Sequence, residues 1–203
     1  DIGTLGVIAV SSALLFYVGG GKLSQLGLLM LLGIVILAAL VFFEPYRMSR
    51  IIVFFNSSFD PQGAGYQARQ ALIAIGSGGI FGRGFGMSKQ KFGFLPEPVG
   101  DSIFAVIAEE FGFLGVIFLI GAFVALLWRG FYIAKRAPDV FGRLLASGIV
   151  ILIIVQSLIN MAAISGILPL TGIPLLFISQ GSSALLMTMV EVGVLLNISR
   201  RII

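Results

Sequence analysis

The chain contains no cysteine and no histidine. The first absence removes disulfides and thiolate chemistry. The second removes imidazole bases and His-ligated metals, so any proton transfer falls to Asp, Glu, Lys or Tyr. Charge is scarce as well. Only 11% of the 203 residues are charged, against roughly 25% in a soluble domain, too few to coat a water-facing surface. What replaces charge is apolar: 58% of residues are hydrophobic and the mean hydropathy is +1.10. The net charge of +4 is a weak clue to partners, because basic residues in such chains mostly set orientation.

The uncharged runs are long. Leu26–Phe43 and Phe111–Trp128 carry no charge, and none occurs from Leu144 to Val190. A bilayer-crossing helix needs about 20 mostly apolar residues, so the expectation is an all-α, polytopic transmembrane helical bundle. About six spans plus a re-entrant or broken segment fit, forming a single membrane-embedded domain over residues 1–203. Thr4–Val18 reads as the first span, ending at Gly19-Gly20-Gly21, and Leu26–Phe43 as the second, stopped by Glu44-Pro45. Met48–Phe55 is a short amphipathic stretch and Asn56–Gly65 a loop by its turn residues. Tyr66–Gly79 is a third, weaker span. Ser102–Phe131, Leu144–Ser165 and Ser182–Ile198 complete the helices. Gly166–Gly181 carries Pro169, Gly172 and Pro174 inside an apolar run, a pattern tolerated at membrane depth only where protein or a cavity covers it. The chain begins at Asp1 with no initiator Met and no signal-peptide n-region, which reads as a fragment or a processed chain.

Basic residues give an expected orientation. Arg47 and Arg50 are placed on the same side as Arg129, Lys135, Arg136, Arg143, Arg200 and Arg201. That side is cytoplasmic, with the C-terminus, and the loop 81–101 is external. This loop is anomalous, because it keeps Arg83, Lys89 and Lys91 where the bias should remove cations. Gly82, Gly84 and Gly86 alternate beside them, and backbone without Cβ can approach an anion closely. Cations at lipid headgroups are the plainer reading.

Asp101, after the turn-rich Leu95-Pro96-Glu97-Pro98-Val99-Gly100, opens a helix. An N-cap role explains it on its own terms; a carboxylate at the membrane surface below a basic loop is also placed as a general base. Glu109 and Glu110 lie two turns further on. Ionisable groups at that depth face a cavity or a partner, and Arg69 in the third span is the partner expected for them. Glu191 in the last span is expected to pair with Arg200 or a neighbouring helix. Gln156 and Asn160 share a helix face and suit interhelical hydrogen bonding.

These residues fall into motifs. Asp1-Ile2-Gly3-Thr4 resembles the P-D-x-G-T element of the FtsW/RodA/SpoVE (SEDS) family. Gly65-Tyr66-Gln67, Gln70 through Gly79 and Gly82-Arg83-Gly84 resemble its central block, continued by Lys91 through Glu97 and Asp101 through Glu110. Asn160 through Ser183 resembles its C-terminal signature. Two departures stand out. Gln180-Gly181-Ser182-Ser183 replaces the usual Tyr-Gly-Gly-Ser-Ser, and Val99-Gly100-Asp101 replaces His-Thr-Asp, keeping the acid. The likeness covers essentially the whole chain and implies about four further spans upstream in family members.

What the resemblance implies is peptidoglycan glycosyltransferase activity on lipid II at the outer face of the bacterial plasma membrane. Asp101 would be the catalytic base. Arg83, Lys89, Lys91, Glu97, Arg69 and Glu109 would bind substrate, the cations holding the departing undecaprenyl diphosphate, with a divalent cation (Mg or Mn) as an optional aid and no other cofactor. A class B penicillin-binding transpeptidase is the implied partner, and nucleic acid is not. Two rival readings remain at this point: a lipid II flippase using Glu109, Glu110 and Glu191 as a polar path, and a scaffold that only recruits the transpeptidase.

Overall fold

The computed structural model describes residues 2–43, 45–56, 59, 60 and 62–201. Asp1, Glu44 and three positions of the expected loop at 56–65 lie outside the described residues. Among the rest, seven helices follow one another: α1 (Ile2–Val18), α2 (Leu23–Phe42), α3 (Pro45–Phe55), α4 (Ala64–Gly78), α5 (Ile103–Arg136), α6 (Val140–Ile164) and α7 (Ser182–Ser199). α5, α6 and α7 are long and apolar enough to cross a membrane, and α1 and α2 supply shorter apolar helices over Gly3–Val18 and Leu23–Ile36. The protein is an all-α membrane bundle. Its main core joins Ala71 and Ala74 of α4, Phe104 and Ala105 of α5, Val150 and Ile153 of α6, and Leu175 of the segment before α7.

The contacts between helix ends set the course of the chain. Gly3 at the start of α1 lies against Thr171 and Ile173, whereas Gly19 at its end lies against Leu144 near the start of α6. α1 therefore runs away from the face carrying Asp101, and α2 returns to it. Arg50 of α3 bonds the Leu170 carbonyl on that face (3.0 Å). α5, α6 and α7 then cross in alternation, with Asp139 capping α6 through the Gly142 N–H at the far end (3.0 Å).

α4 departs from this alternation and from the sequence-based expectation. Gln67, near its start, bonds Asp101 and Ser102 just before α5, and Gly78, at its end, abuts Ala108 and Glu109. α4 and the first turns of α5 thus run in the same direction. The segment 79–102 must climb back to the face where α4 began. The apolar stretch at 66–79 is consequently a re-entrant helix of 15 residues, and Arg50 sits on the Asp101 face, not with Arg129 and Arg143 as its position in the sequence suggested. Charge alternation assumes that each apolar run crosses, and this one is too short and too glycine-rich to do so.

The turning point is an exchange of backbone partners. Gly112 breaks α5 with φ 65° and ψ −163°, a region essentially reserved for glycine. Across the break the Phe113 and Leu114 N–H groups donate to the carbonyls of Gly79 and Ile80, at 2.9 and 3.1 Å. The Arg83 and Gly84 N–H groups donate to Glu109 and Glu110, at 3.0 and 2.9 Å. Four groups that a helix break would leave unpaired at membrane depth are thereby satisfied.

The other irregular segment, 165–181, behaves as expected for a broken stretch covered by protein. Ile173, Leu175 and Leu176 are buried. Gln156 and Asn160, one turn apart on α6, donate to the carbonyls of Pro174 (3.2 Å) and Ile173 (2.8 Å).

Candidate functional site

Everything on one face converges on Asp101. Gly100 and Ser102 bond back to the Glu97 carbonyl (3.1 and 3.3 Å), closing a turn in which Glu97 adopts a positive φ of 47°. The Gly100 carbonyl accepts from Ser179 Oγ (2.7 Å), and Val99 accepts from the Gln180 N–H (2.7 Å). Asn160 Nδ2 donates to the Asp101 carbonyl as well as to Ile173 (both 2.8 Å). The backbone on either side of the acid is therefore pinned by α6 and by the segment before α7.

The side chain itself is half-buried and does not cap α5. The N-cap position is Ser102, with no side-chain cap hydrogen bond. The Asp101 carboxylate instead accepts from Gln67 Nε2 (3.3 and 3.4 Å) and Ser102 Oγ (3.4 Å), while Gln67 also reaches Ser102 Oγ (3.1 Å). Burial pushes the Asp101 carboxyl above its ordinary range, the hydrogen bonds from Gln67 and Ser102 pull it partly back, and the nearby charge of Glu97 adds to the rise. An N-cap would stay strongly ionised and weakly basic; a desolvated carboxylate held by only two side-chain donors is a better proton acceptor.

Gly172 marks what stands opposite. A Cβ built there would lie 3.5 Å from Arg50 Nη1, 3.6 Å from Nη2 and 3.9 Å from Asp101 Oδ2. Guanidinium and carboxylate thus both come within van der Waals reach of one bare glycine. Reasoning from sequence missed Arg50. It read as an orientation marker, although its place on an amphipathic stretch beside the external loops was the available signal. Gln67 and Ser102 were likewise unsingled.

The remaining expected site residues are gathered elsewhere. Glu109 is fully buried and receives Ser88 Oγ–H (2.6 Å), the Lys89 N–H (3.1 Å) and the Gln90 N–H (3.3 Å), with Arg83 Nε at 3.5 Å. Glu110 receives Lys91 Nζ (2.6 Å) and the Ser88 N–H (3.3 Å). Among the described residues the two glutamates pair with Arg83 and Lys91 of the loop, not with Arg69, whose Nε reaches the Gly65 carbonyl of its own helix (3.4 Å). The reason is the re-entrant turn, which lays the loop directly over the first turns of α5. Lys89 is exposed and engages Glu109 through its backbone. Glu191 is half-buried on α7 and forms no ion pair with Arg200 or any other described residue. Among the described residues no three acidic side chains converge.

Comparison with known proteins shows which family the chain resembles as a whole. A family profile described as cell cycle protein, FtsW/RodA/SpoVE, matches residues 1–202. The chain belongs to that family. Among FtsW/RodA/SpoVE relatives it is 44% identical to stage V sporulation protein E of Bacillus subtilis, over 98% of this chain and 55% of the relative. It is 43% identical to a probable peptidoglycan glycosyltransferase FtsW of a Geobacter species, over 99% and 55%. With the peptidoglycan glycosyltransferase MrdB of Escherichia coli it shares 37% identity over 98% and 54%. A solved structure, described as structural coordination of polymerization and crosslinking by a peptidoglycan synthase complex, aligns with TM-score 0.66 and 28% identity, over 87% of this chain and 48% of that one. The chain spans about half the length of the curated relatives it matches.

Proposed function

We propose that this chain carries the catalytic face of a peptidoglycan glycosyltransferase that polymerises lipid II at the outer surface of the plasma membrane. The observation that carries the reading is the half-buried Asp101 carboxylate, made more basic by desolvation, with the Arg50 guanidinium across Gly172. The relatives named peptidoglycan glycosyltransferases supply the reaction class. The acceptor's GlcNAc 4-hydroxyl attacks the anomeric carbon of the donor's MurNAc, and the bond to undecaprenyl diphosphate breaks. Asp101 takes the hydroxyl proton, a contribution of roughly 10²–10⁴-fold. The diphosphate leaves as an anion, against which Arg50 and the exposed Lys89 provide positive charge. Arg83 and Lys91 pair with Glu109 and Glu110, so their part is to hold the loop in place. A single displacement inverts the anomeric centre and needs no covalent glycosyl-enzyme.

The orientation proposed for the chain rests on where its basic residues gather. Lys22, Arg129, Lys135, Arg136, Arg143 and Arg200 gather at the end opposite Asp101, which makes that end and the C-terminus cytoplasmic and Asp101 external. A class B penicillin-binding transpeptidase is the partner that fits a relative described as coordinating polymerization and crosslinking. The flippase reading is less well supported. Glu109 and Glu110 are locked to the loop near one face, while Glu191 faces the opposite half of the bundle, so the three acids form no continuous path. The deciding experiment gives purified lipid II to the full-length protein. Glycan strands should form with wild type and not with Asp101→Asn; transbilayer movement of lipid II without strands would overturn the proposal.

A further inference from the structure

Asp101 and Arg50 are carried by separate elements. Asp101 lies in the turn before α5, Arg50 on α3, and Gly172, which both approach, in the irregular segment before α7. One buried side chain touches two of these three pieces at once. Asn160, in the last two turns of α6, donates from Nδ2 to the Asp101 carbonyl and to the Ile173 carbonyl, each at 2.8 Å. Ile173 directly follows Gly172, and three residues before Ile173 the Leu170 carbonyl accepts from Arg50 Nη1 (3.0 Å). The acid's own residue and the stretch that faces Arg50 are thus tied to a single atom on α6.

The chemistry of the amide suits that task. Its nitrogen carries two hydrogens, so one side chain can meet two carbonyls on different segments; a hydroxyl has a single hydrogen and an aliphatic side chain none. The reversed amide would set oxygen against two oxygens. The orientation adopted has a cost, because Asn160 Oδ1 is buried with no hydrogen-bond partner, and such a group is unfavourable. Packing alone does not call for it, since leucine would occupy a similar volume without the orphaned oxygen. The neighbouring ties are different in kind. Gln156 holds the Pro174 carbonyl to α6 (3.2 Å), and Ser179 Oγ joins the Leu175 N–H (2.8 Å) to the Gly100 carbonyl (2.7 Å). Of these three side chains, Asn160 is the one that links residue 101 itself to the residue beside Gly172. Around the carboxylate stand Glu97 of its own turn, Arg50 of α3 and the Gln67 amide of α4. Asn160 meets the backbone of Asp101, so it acts on where the carboxylate lies and how deeply it is buried.

We propose that Asn160 is a positioning residue for glycosyl transfer, its amide fixing the Asp101 carboxylate relative to Arg50 by tying residues 101 and 173 to one point on α6. This rests on the assignment of Asp101 as the base. The test measures lipid II polymerisation by full-length Asn160→Ala, as kcat, KM and the pH dependence of the rate, together with the melting temperature. A shift of about 1 Å at a reacting group costs roughly a hundredfold, so kcat should fall about ten- to hundredfold while KM stays within a factor of about three. The pH midpoint should move down towards the ordinary aspartate range, because a released turn lets water reach the carboxylate. A merely structural role would reduce the amount of folded protein, scaling the rate equally at every pH and leaving the midpoint in place. Asn160→Ser keeps one donor and should fall between wild type and Asn160→Ala in both rate and midpoint; it is judged by the same criteria if Asn160→Ala does not fold. An unchanged kcat, a rise in KM alone, or a fall in kcat with the midpoint unmoved would each overturn the proposal. Asp101→Asn separates the two claims. If that variant polymerises normally, the base assignment fails; if it is inactive while Asn160→Ala is not slowed, the positioning role alone fails.

Discussion

Glu109→Gln is the most informative single change, because it keeps the shape of the side chain while removing the charge that organises the loop. The Glu109 carboxylate is fully buried and has four donors around it: Ser88 Oγ, the Lys89 and Gln90 N–H groups, and Arg83 Nε. A hydrogen bond to a charged acceptor contributes about 1.5–3 kcal/mol. The four are not additive, and breaking one partner of a buried ionic cluster costs about 3–5 kcal/mol. The amide can keep one oxygen acceptor, but its NH₂ points two hydrogens at groups that also donate. Local opening of residues 83–91 should therefore become easier by at least about 3 kcal/mol, which is roughly a hundredfold faster amide exchange at Lys89 and Gln90. Hydrogen exchange of the detergent- or nanodisc-held protein reads this directly, with the amides of α6 as internal control. Exchange at Lys89 and Gln90 unchanged within a factor of about three, equivalent to less than 1 kcal/mol, would refute the claim that Glu109 anchors the loop.

Asp101→Asn should reduce strand synthesis by roughly 10²–10⁴-fold. It should leave the protein no less stable at neutral pH: the folded-state pKa is raised, so ionised Asp101 costs stability above its ordinary titration range, and that cost vanishes as pH falls below it. By the same sign, wild-type polymerisation should rise with pH through a midpoint above the usual aspartate range, read from initial rates at saturating lipid II. Gly112→Ala puts a Cβ against the Gly82 nitrogen and the Ile80 carbonyl at φ 65°. It should cost at least about 1–3 kcal/mol, visible as lower yield of folded protein and a reduced melting temperature. Arg50→Ala should depress polymerisation more than Lys89→Ala, whereas Arg83→Ala and Lys91→Ala should chiefly accelerate loop exchange. Equal activity losses across all four would return Arg83 and Lys91 to the anion site.

Local pattern made the helices legible to within a few residues. The uncharged runs at 26–43, 111–128 and 144–165, and the punctuation at Gly19-Gly20-Gly21, Pro45 and Pro169–Pro174, depend only on neighbours in the chain. So does the amphipathic 48–55 stretch. Asp101 was legible as a candidate because turn residues precede it and a helix follows. Its electrostatic state was not, because burial comes from Gln67, Asn160 and the segment before α7, residues distant along the chain.

The sequence by itself determined a helical membrane bundle with one acid at the head of a long span, since hydrocarbon selects by composition and length alone. Tertiary structure decided which carboxylate meets which cation. It turned α4 back at the Gly112 break, moved Arg50 onto the Asp101 face, and gave Glu109 and Glu110 to Arg83 and Lys91. Charge pairing acts over a few ångströms in space, and a backbone exchange between residues 79–84 and 109–114 rearranges those distances without leaving any periodic trace in the chain.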